Sequence, residues 1–80
     1  MKRIYIDMIA EITPKGDIFP KRLRLKDGTV FAVDRRLERP RPYFNADGSM
    51  SQRFRCLVEN RQVSLFYDEE TRRWWVESDV

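Results

Sequence analysis

Between residues 53 and 76 the chain alternates between two kinds of side chain with a period of two, the mark of strands with one buried face. Phe54, Cys56 and Val58 alternate with Arg53, Arg55 and Leu57. Asn60-Arg61 fits a two-residue turn, because Asn tolerates the positive φ that such turns demand. That turn sets Val58 opposite Val63, Cys56 opposite Leu65 and Phe54 opposite Tyr67. A four-residue loop at residues 69–72 then pairs Tyr67 with Trp74 and Leu65 with Val76. Slipping any pairing by one residue would turn apolar side chains out to solvent, so the choice of face is strongly specified.

The opposite face carries Arg53, Arg55, Leu57, Ser64, Phe66, Arg73 and Trp75. In this register Arg55, Phe66 and Trp75 lie side by side across three strands. An aromatic pair flanked by arginines needs a cover or a partner. Three arrangements satisfy it. Bases of a single strand stack on the rings while guanidinium groups meet phosphates. Alternatively the patch is structural: either Tyr43-Phe44 or the N-terminal strand covers the rings, or cation–π contacts simply stabilise the sheet. Or a protein partner buries them, since Trp, Tyr, Phe and Arg are enriched at interfaces.

Upstream, Ile4, Ile6, Met8, Ala10 and Ile12 recur at every second position, with Ile9 breaking the pattern. This predicts a strand. Thr13-Pro14-Lys15-Gly16 fits a type I turn. Ile18 and Phe19 resume a strand that Pro20 interrupts, which requires an edge or a bulge. The phase of Ile18 and Phe19 stays open. Leu23 and Leu25 alternate with Arg22, Arg24 and Lys26 up to Asp27-Gly28, a hairpin signal. A three-residue loop with Gly28 left-handed sets Leu23 opposite Phe31 and gathers Leu25 and Val33 on the same face. Leu37 continues that inward face. The prolines of RRLERPRP then force an extended loop through residues 39–44, and residues 45–49 read as a turn. No helical period occurs.

Six short strands with tight connections predict one all-β domain over residues 1–80: a small antiparallel barrel or strongly bent meander, SH3-like in size. At 80 residues its core must be compact. Charged residues make up 36 % of the chain, the formal charge is +3 and the pI is about 9.4. The charge is uneven. Residues 20–55 hold ten basic and four acidic side chains, whereas residues 56–80 hold three and six. Twelve of the sixteen basic residues are Arg, which favours bidentate and stacking contacts with a polyanion. The competing description of Arg22, Arg24, Arg35, Arg36, Arg39 and Arg41 is a solvated polar face, partly neutralised by Asp34 and Glu38.

Candidate chemistry is sparse. There is no His, and the single Cys56 falls on the core face, where it acts as a small hydrophobe. No base accompanies Ser49, Ser51 or Ser64. Asp68, Glu69 and Glu70 cluster on a loop without the spaced oxygen ligands of a calcium site. These absences favour a non-enzymatic chain with no cofactor, no metal and no evident small-molecule substrate. No signal-like or membrane-spanning apolar run is present, so a cytoplasmic setting is expected.

The succession Pro20, Leu23, Leu25, Asp27-Gly28, Phe31, Val33-Asp34, Arg53-Phe54, Leu65-Phe66 and Trp74-Trp75-Val76 resembles a family of short bacterial β domains without an assigned function. It is more faintly similar to small domains associated with error-prone DNA polymerases. The resemblance spans residues 7–77 and implies no catalytic or binding residues. The expectation is therefore a binding module. Single-stranded nucleic acid is its first candidate ligand, with Arg53, Arg55, Phe66, Arg73 and Trp75 as the contact surface and Arg22 and Arg24 adding charge. The alternative is a protein-interaction module, or a homodimer, that buries the same patch.

Overall fold

The computed structural model describes residues 2–78 and contains seven strands: β1 (Lys2–Ile12), β2 (Ile18–Arg24), β3 (Val30–Arg36), β4 (Arg41–Phe44), β5 (Met50–Val58), β6 (Arg61–Asp68) and β7 (Arg73–Ser78). There is no helix among the described residues, and so none long and apolar enough to cross a membrane. All pairings are antiparallel, in the order β3-β2-β1-β7-β6-β5-β4, and β3 also pairs with β5. That last ladder closes six strands into a small barrel and leaves β4 outside the ring.

Two long strands make closure feasible. β1 pairs with β7 through Lys2–Ile6 and with β2 from Asp7 onward, so it changes partner at Ile6/Asp7. β5 is shared lengthwise: Met50 to Arg53 take β4, while Cys56 to Val58 take β3. A one-residue offset in the β1–β2 ladder leaves Lys21 without a partner beside Pro20, the bulge that a proline inside a strand requires. A second offset bypasses Asp34 between β3 and β5. Both increase local twist where the sheet must curl.

Ile6, Leu23, Val33, Phe54, Cys56, Val58, Leu65 and Trp74 form the core inside the ring. Each large side chain among them contributes about 1.5–3 kcal/mol by leaving water. The expected inner face of β5, β6 and β7 is therefore present. So is the Leu23↔Phe31 pair, set by a loop in which Gly28 has φ +91° and its N–H donates to the Leu25 carbonyl at 3.0 Å. Ile18 packs inward. Phe19 turns out beneath the Arg36 guanidinium, 3.8 Å from its ring centre, and Arg36 Nη1 donates to the Ile18 carbonyl.

Three expectations need correction. The β5–β6 turn is Glu59-Asn60, not Asn60-Arg61. Both of its central residues have positive φ, 48° and 64°, as a type I′ turn demands. Val58 thus faces Arg61, Cys56 faces Val63 and Phe54 faces Leu65. The slip is two residues, so every side chain keeps its face. Asp34, freed from the ladder by its bulge, accepts the Asn60 N–H at 3.4 Å and tethers this turn. Second, Tyr43 and Phe44 are not loop residues. They belong to β4, where Pro42 sits on a four-residue edge strand that tolerates a missing N–H. Third, Ile12 does not share the inward face of β1; it is exposed, as is Ile9, the residue that breaks the alternation.

Candidate nucleic-acid interface

The two-residue slip rebuilds the outer face. Arg53, not Arg55, stands opposite Phe66, and Phe66 stands opposite Trp75. Arg55 faces Ser64 and is engaged elsewhere, donating to Glu38 at 3.1 Å and to Gln62 at 2.8 Å. The Arg55–Phe66–Trp75 row therefore does not exist.

Nor is the aromatic pair open to a ligand. Phe66 is 1 % and Trp75 2 % exposed. Their rings stack on each other, and Tyr43 of β4 lies edge-on to Phe66 at 4.8 Å between centroids and to Trp75 at 6.3 Å. The Arg3 guanidinium from β1 lies 4.2 Å from the Trp75 ring centre. Thus β4 and the N-terminal strand together provide the cover. The polar edge of the cluster is satisfied as well. Asp68 Oδ1 accepts the Trp75 indole N–H at 3.0 Å and the Ser51 hydroxyl, and Oδ2 pairs with Arg3 at 3.4 Å. Phe66 and Trp75 form a second small core on the outside of the barrel wall, and a solvent-facing stacking platform at these two residues is ruled out.

The remaining sequence-predicted residues disperse, with one exception. Arg53 is half-buried beside β4, opposite Arg41. Arg22 and Arg24 lie exposed on the β1–β2–β3 face, Arg22 opposite Ile9 and Arg24 opposite Asp7. Arg73 stacks on Tyr5, its guanidinium 3.6 Å from the ring centre. Arg24 at the end of β2 and Arg73 at the start of β7 are brought to one place by the change of partner in β1. There the end of β2 approaches the β6–β7 loop, and an open groove of about 490 Å³ lies between them.

Four cationic side chains line that groove: Arg24, Lys26, Arg72 and Arg73. Its aromatic wall is Tyr5, Tyr67 and Trp74, with Tyr67 tilted against Trp74 at 4.8 Å between centroids. Asp7 is the one carboxylate in the lining, and Arg24 already holds it at 2.7 Å. Arg72 enters the groove from a left-handed backbone, φ 57°, with its N–H on the Asp68 carbonyl at 2.7 Å. Neutral rings beside several guanidinium groups suit a ligand that carries both flat bases and phosphates. Tyr5, Lys26, Tyr67, Arg72 and Trp74 are groove residues that the sequence did not mark as such. Each is ordinary in its own segment, and only the bend in β1 gathers them.

Elsewhere the chemistry is quiet. Burial pushes the Cys56 thiol up to about 11, an effect that the nearby Arg36 charge offsets only in part. It is therefore protonated at neutral pH. Hydrogen bonds from Thr29 and Ser49 hold the Asp27 and Asp47 carboxyls below the ordinary range, as belongs to tight turns. Among the described residues no group of three or more acidic or cysteine side chains is placed to hold a metal ion. No protein-family model, curated protein or solved structure matches the chain.

Proposed function

We propose that this chain is a non-enzymatic binding module that holds single-stranded nucleic acid in the groove between the end of β2 and the β6–β7 loop. The observation that carries this is the convergence of Arg24, Lys26, Arg72 and Arg73 on the Tyr5–Tyr67–Trp74 wall. Phosphates meet the guanidinium and ammonium groups, and a base packs against Tyr67, a half-buried ring of the wall. The contact surface thus keeps Arg24 and Arg73 of the residues expected from the sequence, and exchanges the buried Phe66 and Trp75 for the half-buried Tyr67. A cytoplasmic setting belongs to the same proposal, consistent with a lone, buried thiol. Anisotropy of a labelled oligonucleotide tests it. With three or four phosphates neutralised, affinity falls about 20- to 50-fold between roughly 50 and 200 mM salt, and Arg72→Ala or Arg73→Ala weakens binding. Absence of binding at low salt removes the proposal.

One observation favours a protein partner as the second reading. Phe44 and Met50 form a cross-strand pair on the β4–β5 hairpin, and Phe44 is 76 % exposed. This replaces the Phe66–Trp75 patch as the surface such a partner would bury. Pairing of a second copy along β4 is opposed by the short strand and by Pro42. A salt-insensitive association that Phe44→Ser abolishes would select this reading.

A further inference from the structure

The basic groove does not end at Asp7. A second cavity of about 200 Å³ continues along the β1–β2 face, lined by Ile9, Arg22 and Val30. Asp7, Met8 and Arg24 belong to the lining of both cavities. The Asp7–Arg24 ion pair therefore stands at their junction. Asp7 Oδ2 takes both of its bonds, from Arg24 Nε at 3.1 Å and Nη2 at 2.7 Å. Both partners are open to water, the Arg24 side chain 60 % and Asp7 70 % exposed.

An exposed pair of this kind is weak and readily exchanged. A phosphate offers Arg24 the same bidentate geometry as a carboxylate, and more charge. We infer that Asp7 is a competing anion for the ligand: binding of the nucleic-acid backbone displaces its carboxylate from Arg24, and the strand then runs on through the junction to Arg22. This rests on the single-strand reading above and extends it in two ways. Asp7 limits affinity, and the footprint is longer than the first cavity. The backbone follows the face on which Asp7, Ile9, Arg22 and Arg24 are register neighbours.

The experiment compares wild type with Asp7→Asn, Arg22→Gln, Arg24→Gln and the Asp7→Asn/Arg24→Gln double variant. The probes are fluorescein-labelled oligothymidylates of about four and about ten nucleotides, which bracket a small site. The affected side chains are exposed, so thermal melts should stay unchanged and serve as the folding control. Asp7→Asn is expected to tighten the longer strand about three- to tenfold and to leave the slope of log affinity against log salt nearly unchanged, because the Arg24–phosphate contact forms in both proteins. Arg22→Gln is expected to weaken the longer strand and leave the shorter one unchanged. In the Arg24→Gln background the gain from Asp7→Asn should vanish. If wild type binds but Asp7→Asn weakens binding or leaves it unchanged, Asp7 merely positions Arg24 and the inference is overturned while the binding site stands. A gain that persists without Arg24 reduces Asp7 to distant repulsion and overturns the displacement. Failure of wild type to bind either probe at low salt overturns the site and the inference together.

Discussion

Trp75 lies flat on Phe66, ring centroids 4.2 Å apart and planes 10° from parallel, on the face of the sheet that points away from the barrel interior. The pair is sealed by Tyr43 and Arg3 and anchored through the Trp75 N–H on Asp68. The fold thus has two apolar centres, one on each side of the β5–β6–β7 sheet.

The outer centre should matter for stability as much as the inner one. Phe66→Ala and Trp75→Ala are each expected to cost about 3–5 kcal/mol in urea unfolding, the range for buried aromatics. A ligand platform in solvent would cost far less, within the small changes usual for surface substitutions. Asp68→Ala strands the Trp75 indole N–H and removes the acceptor of the Ser51 hydroxyl, which keeps only its bond from the Asn45 amide, and should cost about 1–3 kcal/mol.

The β5–β6 turn offers a gain. Glu59 occupies a left-handed position that suits Asn or Gly, and Asn60 follows in the same conformation. Asn60→Gly combined with Glu59→Asn installs the residue pair preferred in a type I′ turn and should raise stability by roughly 0.5–1 kcal/mol. The midpoint of denaturation should rise while its slope stays constant.

Arg72 presents the opposite balance. Its left-handed backbone favours glycine, yet its guanidinium lines the groove. Arg72→Gly should therefore stabilise the fold by about 0.5–1 kcal/mol and weaken oligonucleotide binding. A loss of both stability and affinity would show that Arg72 serves packing instead.

Cys56 makes a pH prediction. Its folded thiol titrates near 11, above the ordinary value of 9.0. Between those values the unfolded chain has released a proton that the folded chain retains, so stability must fall as pH rises. The contribution is complete below pH 9 and lost by pH 11, on the order of 2 kcal/mol. Cys56→Val should flatten that part of the stability profile, and the native thiol should resist alkylation at neutral pH.

Much of this architecture is written in the alternation of side chains, and some of it is not. Face assignment in β5, β6 and β7 is robust because an even slip leaves it intact, which is why Phe54, Cys56 and Leu65 point inward despite the displaced turn. The pairing itself depended on Glu59 accepting a left-handed backbone and on Asp34 reaching across from β3, both non-local matters. β4 was hidden by Pro40 and Pro42, which argue against a strand except at an edge. Tyr43, placed there, seals the rings that a three-strand view leaves bare. The groove is harder still to read, because Tyr5, Lys26, Tyr67 and Arg72 meet only through the bend at Ile6/Asp7.

The two adjacent indoles report on opposite sides of the same sheet, and nuclear magnetic resonance can follow their N–H signals separately during titration with a short single-stranded oligonucleotide at low salt. The Trp74 indole and the Arg72 and Arg73 amides should shift as the groove fills, while the Trp75 indole, held on Asp68, stays in place. A Trp75 signal that moves while Trp74 remains still would contradict the groove as the binding site and restore the outer face.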